Sequence, residues 1–213
     1  MYADVVDENE NLLGVSLIGD GIRKLFQTDF FEPSFKPKLD YIFNRFVGYN
    51  SFFKCPSIIL RDDTDRIVDV IAYRPQKPAN YKEWSSPKYI YKNSGNRGEK
   101  FLYPFRKEAE HIAKKEGFFI VGEGIKNALN ALVYSVPFIT IESSSTKMSD
   151  ALVSYIRAWY EKGYSIITMF DGDKAGAKAY ENFKKQTGLE VKNFFAFDSN
   201  LDFVDYLQSG ESV

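Results

Sequence analysis

The sequence predicts an α/β protein: a doubly wound parallel sheet with flanking helices, preceded by a smaller α+β ribbon subdomain. Three observations carry that expectation. From about residue 105, apolar runs of strand length alternate with segments of helical length, the pattern of βαβ units and a parallel sheet. Upstream, Ser57-Ile-Ile-Leu-Arg61 and Arg66–Arg74 flank the polar Asp62-Asp-Thr-Asp65, as in a hairpin. Finally, Phe118–Val121 and Ile166–Phe170 are apolar runs that each lead into carboxylate and glycine and then turn helical.

In chain order, residues 1–50 read as mixed, with helices around Ile22–Phe26 and Leu39–Phe46 and with Pro33 and Pro37 punctuating the space between them. The hairpin at 57–74 follows. Residues 75–87 form a loop rich in Pro, Ser and Lys, Lys88–Lys92 is a short strand, and Asn93–Gly98 is another loop. A helix at 105–115 leads to strand 118–122 and a helix at about 125–134. Strand 137–141 precedes a helix at about 148–161. Strand 165–170 precedes a helix at about 174–186, and 191–197 reads as the last strand. The expected division is residues 1–104, a basic ribbon subdomain, and residues 105–213, the parallel-sheet domain.

Composition excludes several function classes. With 44% hydrophobic and 27% charged residues, the chain reads as an ordinary soluble globular protein. No apolar run approaches the roughly 18–20 residues of a membrane span, and the acidic start lacks signal-peptide character. Cys55 is the only cysteine, which excludes internal disulfides and cysteine-based zinc ribbons and suits a reducing cytoplasm. His111 is the only histidine and falls in a helix, so His-rich metal sites and Ser-His-Asp triads find no support. The net charge of −1 is unevenly spread: residues 1–50 hold five basic and eight acidic residues, whereas 82–107 hold seven basic and two acidic. Such a stretch is either a solvated loop or a surface for a phosphate backbone.

The chemistry points to Glu123, Asp171 and Asp173. In an open parallel sheet, ligands gather beyond the carboxyl ends of the strands. Carboxylates brought to one rim repel unless a cation sits between them. Mg²⁺ prefers hard oxygen ligands and completes its shell with water and phosphate. Residues i and i+2 of an extended chain share a face, which suits Asp171 and Asp173 as a pair. Gly172 permits a tight turn, and Ala175 and Gly176 permit close approach of the next helix or of a phosphate. Lys174 lies beside phosphate or in solvent. The alternatives are structural: Glu123 as a helix N-terminal cap, and Asp171-Gly172-Asp173 as a plain turn.

Glu123-Gly-Ile-Lys-Asn-Ala-Leu129 and Asp171-Gly-Asp-Lys-Ala-Gly176 together resemble the Toprim domain, a Rossmann-like parallel sheet with flanking helices. Toprim domains occur in bacterial-type primases, type IA and II topoisomerases and small nucleases. Leu201-Asp-Phe-Val-Asp-Tyr-Leu207 is similar to the family's late Lys-Asp-x-Asn-Asp-x-Leu segment, with Leu201 and Val204 departing from it. That resemblance adds Asp202 and Asp205 as metal ligands, with a helix N-cap as the other reading of Asp202. Upstream, Ser57–Asp62, Ile71–Arg74, Pro87–Ile90, Asn93-Ser94 and Lys100 fall in the order seen in DnaG-like primase cores. The plasmid and phage forms are the most similar.

The resemblance implies DNA-templated synthesis of short RNA primers, a nucleotidyl transfer that uses Mg²⁺ or Mn²⁺. The implied partners are single-stranded DNA and ribonucleoside triphosphates, with no membrane. Arg61, Arg74, Lys88, Lys92, Arg97, Lys100 and Lys174 would hold triphosphate or template backbone. Tyr73, Tyr89 and Tyr91 would either stack on unpaired bases or pack within the ribbon. The family's zinc ribbon cannot be built from Cys55 alone, so the chain reads as a catalytic core, either excised from a larger protein or naturally minimal. A zinc-ribbon module and a replicative helicase would act from outside it. The competing functions are a Toprim-type metal-dependent nuclease and a non-catalytic nucleic-acid-binding module.

Overall fold

The computed structural model describes residues 36–50, 55–61, 64–73, 89–91, 105–141, 147–196, 199–203 and 206–207. The chain divides into two compact units, Met1–Gly95 and Asn96–Val213. The expected helix around Ile22–Phe26 lies outside the described residues.

In the first unit, α1 (Lys36–Phe46) starts earlier than the expected 39, and Pro37 stands in its first turn. There a missing N–H costs nothing, so the proline opens the helix rather than preceding it. A four-stranded antiparallel sheet follows in the order β1 (Val47–Asn50), β2 (Cys55–Arg61), β3 (Ile67–Tyr73), β4 (Tyr89–Tyr91). The hairpin of β2 and β3 matches the sequence expectation, with a register shift between Leu60 and Arg61. β1 was not expected. Its Gly48 and Asn50 are poor strand formers, and its pairing with β2, Gly48 opposite Ser57, decides its conformation. Ile58, Leu60 and Ile71 are fully buried, which anchors the sheet to the core of this unit.

The second unit begins with α2 (Arg106–Glu116) and continues through β5 (Phe118–Glu123), α3 (Ile125–Val133), β6 (Phe138–Ile141), α4 (Asp150–Glu161), β7 (Ser165–Met169) and α5 (Lys174–Thr187). The strands form a parallel sheet in the order β6-β5-β7. Strand alternation sends Phe119 and Val121 into a core with Ala109 and Ala113 of α2, Leu152, Ile156 and Trp159 of α4, and Phe183 of α5. Phe119 and Trp159 meet edge to face at 4.8 Å. The buried residues Ala128, Leu129 and Leu132 of α3 belong to the opposite face, so helices flank the sheet on both sides. Ser149 caps α4, its hydroxyl accepting from the Leu152 N–H at 3.1 Å. The Tyr155 hydroxyl donates to Glu110 Oε1 at 3.0 Å and ties α4 to α2. Burial and the Glu110 charge raise its pKa.

The sequence expectation fails at 191–197. No strand forms among the described residues there, only a single parallel bridge between Asn193 and Thr168. The reason is that the Asn193 side chain replaces the backbone ladder. Its Oδ1 accepts from the Phe170 N–H at 2.8 Å, and its Nδ2 donates to the Phe170 carbonyl at 2.9 Å and the Phe195 carbonyl at 3.0 Å. A side-chain amide that mimics a peptide ends regular pairing after one residue.

Candidate active site

Glu123 closes β5, and Asp171 follows the end of β7 by two residues. The strands pair with Gly122 opposite Met169, so both carboxylates leave the sheet at one carboxyl edge. From β5 the chain crosses to β6 on one side and then to β7 on the other. The edge between β5 and β7 is therefore the topological switch point, where the outgoing connections diverge and leave a crevice.

The two strand ends use their acids differently. Glu123 does not cap α3, whose N-cap is Gly124 with no side-chain bond. Its carbonyl instead accepts from Asn127 Nδ2 at 2.9 Å. Asp173 is the N-cap of α5, Oδ1 accepting from the Gly176 N–H at 2.8 Å, and it is exposed. Glu123 and Asp171 each turn one carboxylate oxygen, Oε1 and Oδ1, away from solvent. Withdrawing carboxylate oxygen from water costs free energy unless positive charge or hydrogen-bond donors compensate. β7 ends at Met169, so Asp171 and Asp173 lie beyond the strand and its two-residue alternation does not apply to them.

The Asp171 loop is held from outside its own sequence. The Asn193 clamp fixes Phe170, the residue before Asp171. Gly172 N–H donates to the Leu201 carbonyl at 2.7 Å, and Asn200 N–H donates to the Gly172 carbonyl at 3.0 Å. The glycines serve close approach. A Cβ on Gly172 would run into Ser199 Oγ, Ala196 O and Leu201 N, and one on Gly176 would overlap the Asp171 carbonyl. Gly172 is therefore required by the segment packed against it, an explanation the sequence-based turn argument did not contain. The same two hydrogen bonds bring Asp202 to this loop. Asp202 starts a helical turn, with the Tyr206 N–H donating to its carbonyl at 3.1 Å. Asp205 lies outside the described residues.

Among the described residues, no three His, Cys, Asp or Glu side chains gather closely enough to cage a metal ion. The donor set still fits Mg²⁺ in its usual form, in which one or two carboxylates bind and water and substrate phosphate complete the shell. Glu123 and Asp171 would be those two, while Asp173 has one oxygen committed to its helix cap.

Of the candidate basic residues, Arg61 and Lys174 are among those the structure describes. Arg61 is engaged within its own unit, Nε donating to the Arg45 carbonyl at 3.0 Å and Nη1 to the Asp65 carbonyl at 2.9 Å. Arg45 in turn pairs with Asp65 at 2.7 Å, so Arg61 fastens the hairpin end to α1. Lys174 is exposed in the first turn of α5, beside Asp173. Arg74, Lys88, Lys92, Arg97 and Lys100 lie outside the described residues. Tyr73 is buried, and burial raises its pKa, which leaves it no face for a base. Tyr89 and Tyr91 belong to β4. His111 is exposed on α2. Sequence reasoning missed Asn127 and Asn193. The signal for Asn193 was an asparagine inside the apolar run Val191–Phe197, where a strand has little use for one.

Neither a protein-family profile nor a curated protein matches the chain. Solved structures do. The zinc-binding and RNA polymerase domains of the Aquifex aeolicus primase match with a TM-score of 0.54 and 20% identity, over 72% of this chain and 36% of that one. A DNA primase domain from Pseudomonas aeruginosa matches with a TM-score of 0.53 and 18% identity, over 81% and 55% of the two chains. A DnaG primase catalytic domain bound to ssDNA matches with a TM-score of 0.56 and 14% identity, over 92% and 71%. The chain thus spans about a third of the first of these and about half of the second. The fold is the mixed α/β fold of DnaG-type primase catalytic cores. No helix among the described residues is long and apolar enough to cross a membrane.

Proposed function

We propose that this chain is a metal-dependent nucleotidyl-transfer core that makes short RNA primers on single-stranded DNA. The observation that carries the reading is that Glu123 and Asp171 follow neighbouring strands out of the same carboxyl edge, at the β5–β7 switch point of a primase-core fold. Fold likeness alone cannot assign chemistry, whereas two acids with oxygens turned from water, neither of them spent as a helix cap, have a use in binding a cation.

Glu123 and Asp171 would hold Mg²⁺ or Mn²⁺, with water and substrate phosphate completing the shell; Asp173, Asp202 and Asp205 remain further candidates from the sequence resemblance. When bound, the metal would lower the charge on the triphosphate, activate the primer 3′-hydroxyl and orient an in-line displacement. The chain's own residues do the positioning. The Asn193 clamp and the Gly172–Leu201 bond fix the Asp171 loop in advance, so little reorganisation is left for the moment of reaction. Lys174, exposed in the first turn of α5, would meet phosphate from the helix side. Arg74, Lys88, Lys92, Arg97 and Lys100 would carry the template backbone. Arg61, bonded to two carbonyls, would contribute first to the stability of the ribbon. A zinc-ribbon module and a replicative helicase, neither of them within these 213 residues, would work with this core in plasmid or phage replication.

The test is incubation of the full chain with single-stranded DNA, labelled ribonucleotides and Mg²⁺ or Mn²⁺. Labelled oligonucleotides are expected, and Asp171→Asn or Glu123→Gln should abolish them. Calorimetry should show Mn²⁺ affinity falling about tenfold or more in Asp171→Asn. Folding should be unchanged or slightly more stable, because a repelling charge is gone. DNA shortened without nucleotide incorporation would identify a nuclease instead, and unchanged Mn²⁺ affinity in both variants would remove the metal site.

A further inference from the structure

The described residues include five large hydrophobic side chains that face solvent, and two of them, Phe194 and Leu201, sit on the segment that grips the Asp171 loop. Phe194 is 48% exposed. An exposed aromatic is ordinary when it stands alone. Phe194 is instead fixed relative to β7 and the residue before Asp171. Its N–H donates to the Thr168 carbonyl of β7 at 2.7 Å, and the residue before it, Asn193, holds Phe170 by both backbone groups. Its ring meets Phe195 at 5.3 Å and Tyr206 at 5.0 Å, both T-shaped. Leu201 is 47% exposed, and its carbonyl holds Gly172.

We infer that Phe194 is a stacking surface for an unpaired nucleobase on the β7 side of the Asp171 loop. The inference rests on the nucleotidyl-transfer reading. A nucleotide whose phosphates sit at the carboxylates must put its base a short distance away, and a rigid, half-open aromatic ring stands on the segment bonded to that loop. Every base has a π-face, so such a platform is tolerant of sequence, as a template-directed reaction requires. Because the ring is already held by its backbone and two neighbours, stacking on it costs little ordering.

The test uses the full chain and four probes: oligo-dT, an abasic oligonucleotide of the same length, ATP and tripolyphosphate. Phe194→Ala is expected to weaken oligo-dT or ATP binding by about 5- to 150-fold. Binding of the abasic strand and of tripolyphosphate should not change. A loss on oligo-dT assigns the base to the strand, and a loss on ATP assigns it to the incoming nucleotide. Phe194→Trp should retain binding and Phe194→Leu should not, while the Leu variant keeps wild-type Mn²⁺ affinity and thermal midpoint. Equal losses on probes with and without bases would overturn the inference in favour of a packing role. Wild-type binding by Phe194→Leu would overturn it in favour of a plain apolar surface for a protein partner. Primer synthesis by Phe194→Ala with unchanged nucleotide and DNA affinities would overturn stacking and leave the transfer reading intact. Phe194-dependent base binding by a chain that incorporates nothing would support stacking while overturning the transfer reading.

Discussion

Glu123 and Asp171 leave neighbouring strands at the same edge of one sheet, yet one is held locally and the other from far along the chain. The carbonyl of Glu123 is bonded by Asn127, four positions on. The residue before Asp171 is bonded by Asn193, 23 positions on, and the residue after it by Leu201. The difference teaches how two acids at one sheet edge can be fixed by different means, one by local and one by long-range bonds. The β5 end inherits its geometry from a strand running straight into a helix. The β7 end needs Asn193, Asn200 and Leu201 as a brace, since its acid lies beyond the last ladder residue.

The sharpest way to break that comparison is Gly176→Ala. Its Cβ would overlap the Asp171 carbonyl, which is backbone and cannot swing aside. A loss of about 3 kcal/mol of unfolding free energy is expected, with Mn²⁺ affinity falling in parallel. Thermal and urea unfolding measure the first and calorimetry the second. A Gly176→Ala protein as stable as wild type would mean that α5 shifts without disturbing the loop.

Asn193→Ala should cost about 2 kcal/mol, because the Phe170 N–H and carbonyl lose their partner near the sheet edge. It should also weaken Mn²⁺ binding while leaving the β5 side intact. If Mn²⁺ affinity stays at the wild-type value although stability drops, the brace is structural only.

The smallest effect belongs to Asn127→Ala, about 0.5–1 kcal/mol. Only one bond to the Glu123 carbonyl is lost, and β5 still delivers Glu123 to the edge. A loss larger than that of Asn193→Ala would reverse the ranking of the two strand ends.

Much of this was legible in the sequence, for a local reason. The apolar runs at 118–122 and 165–170 place β5 and β7 within a residue, and the helices after them begin where the glycine and aspartate signals put them. Asp171 and Asp173 read as an equivalent pair, but Asp173 proved to be a helix cap, because Gly176 offers its N–H there. Arg61 read as a phosphate ligand and is found on two carbonyls of its own unit.

The sequence by itself determined most of the strands and helices, β1 and the absent strand at 191–197 aside, and which acids stand at strand ends. Both follow from periodicity and turn chemistry over a few residues. Only the tertiary structure decided that β5 lies between β6 and β7, which turns two strand ends into one crevice. It alone decided that a fourth strand is replaced by the Asn193 amide and that Gly172 and Gly176 serve contact rather than bending. It also buried Tyr73 and left Phe194 open. These outcomes depend on which donors and surfaces meet across long stretches of chain. A donor's partner is chosen by the geometry of the folded neighbours, and no local pattern encodes that.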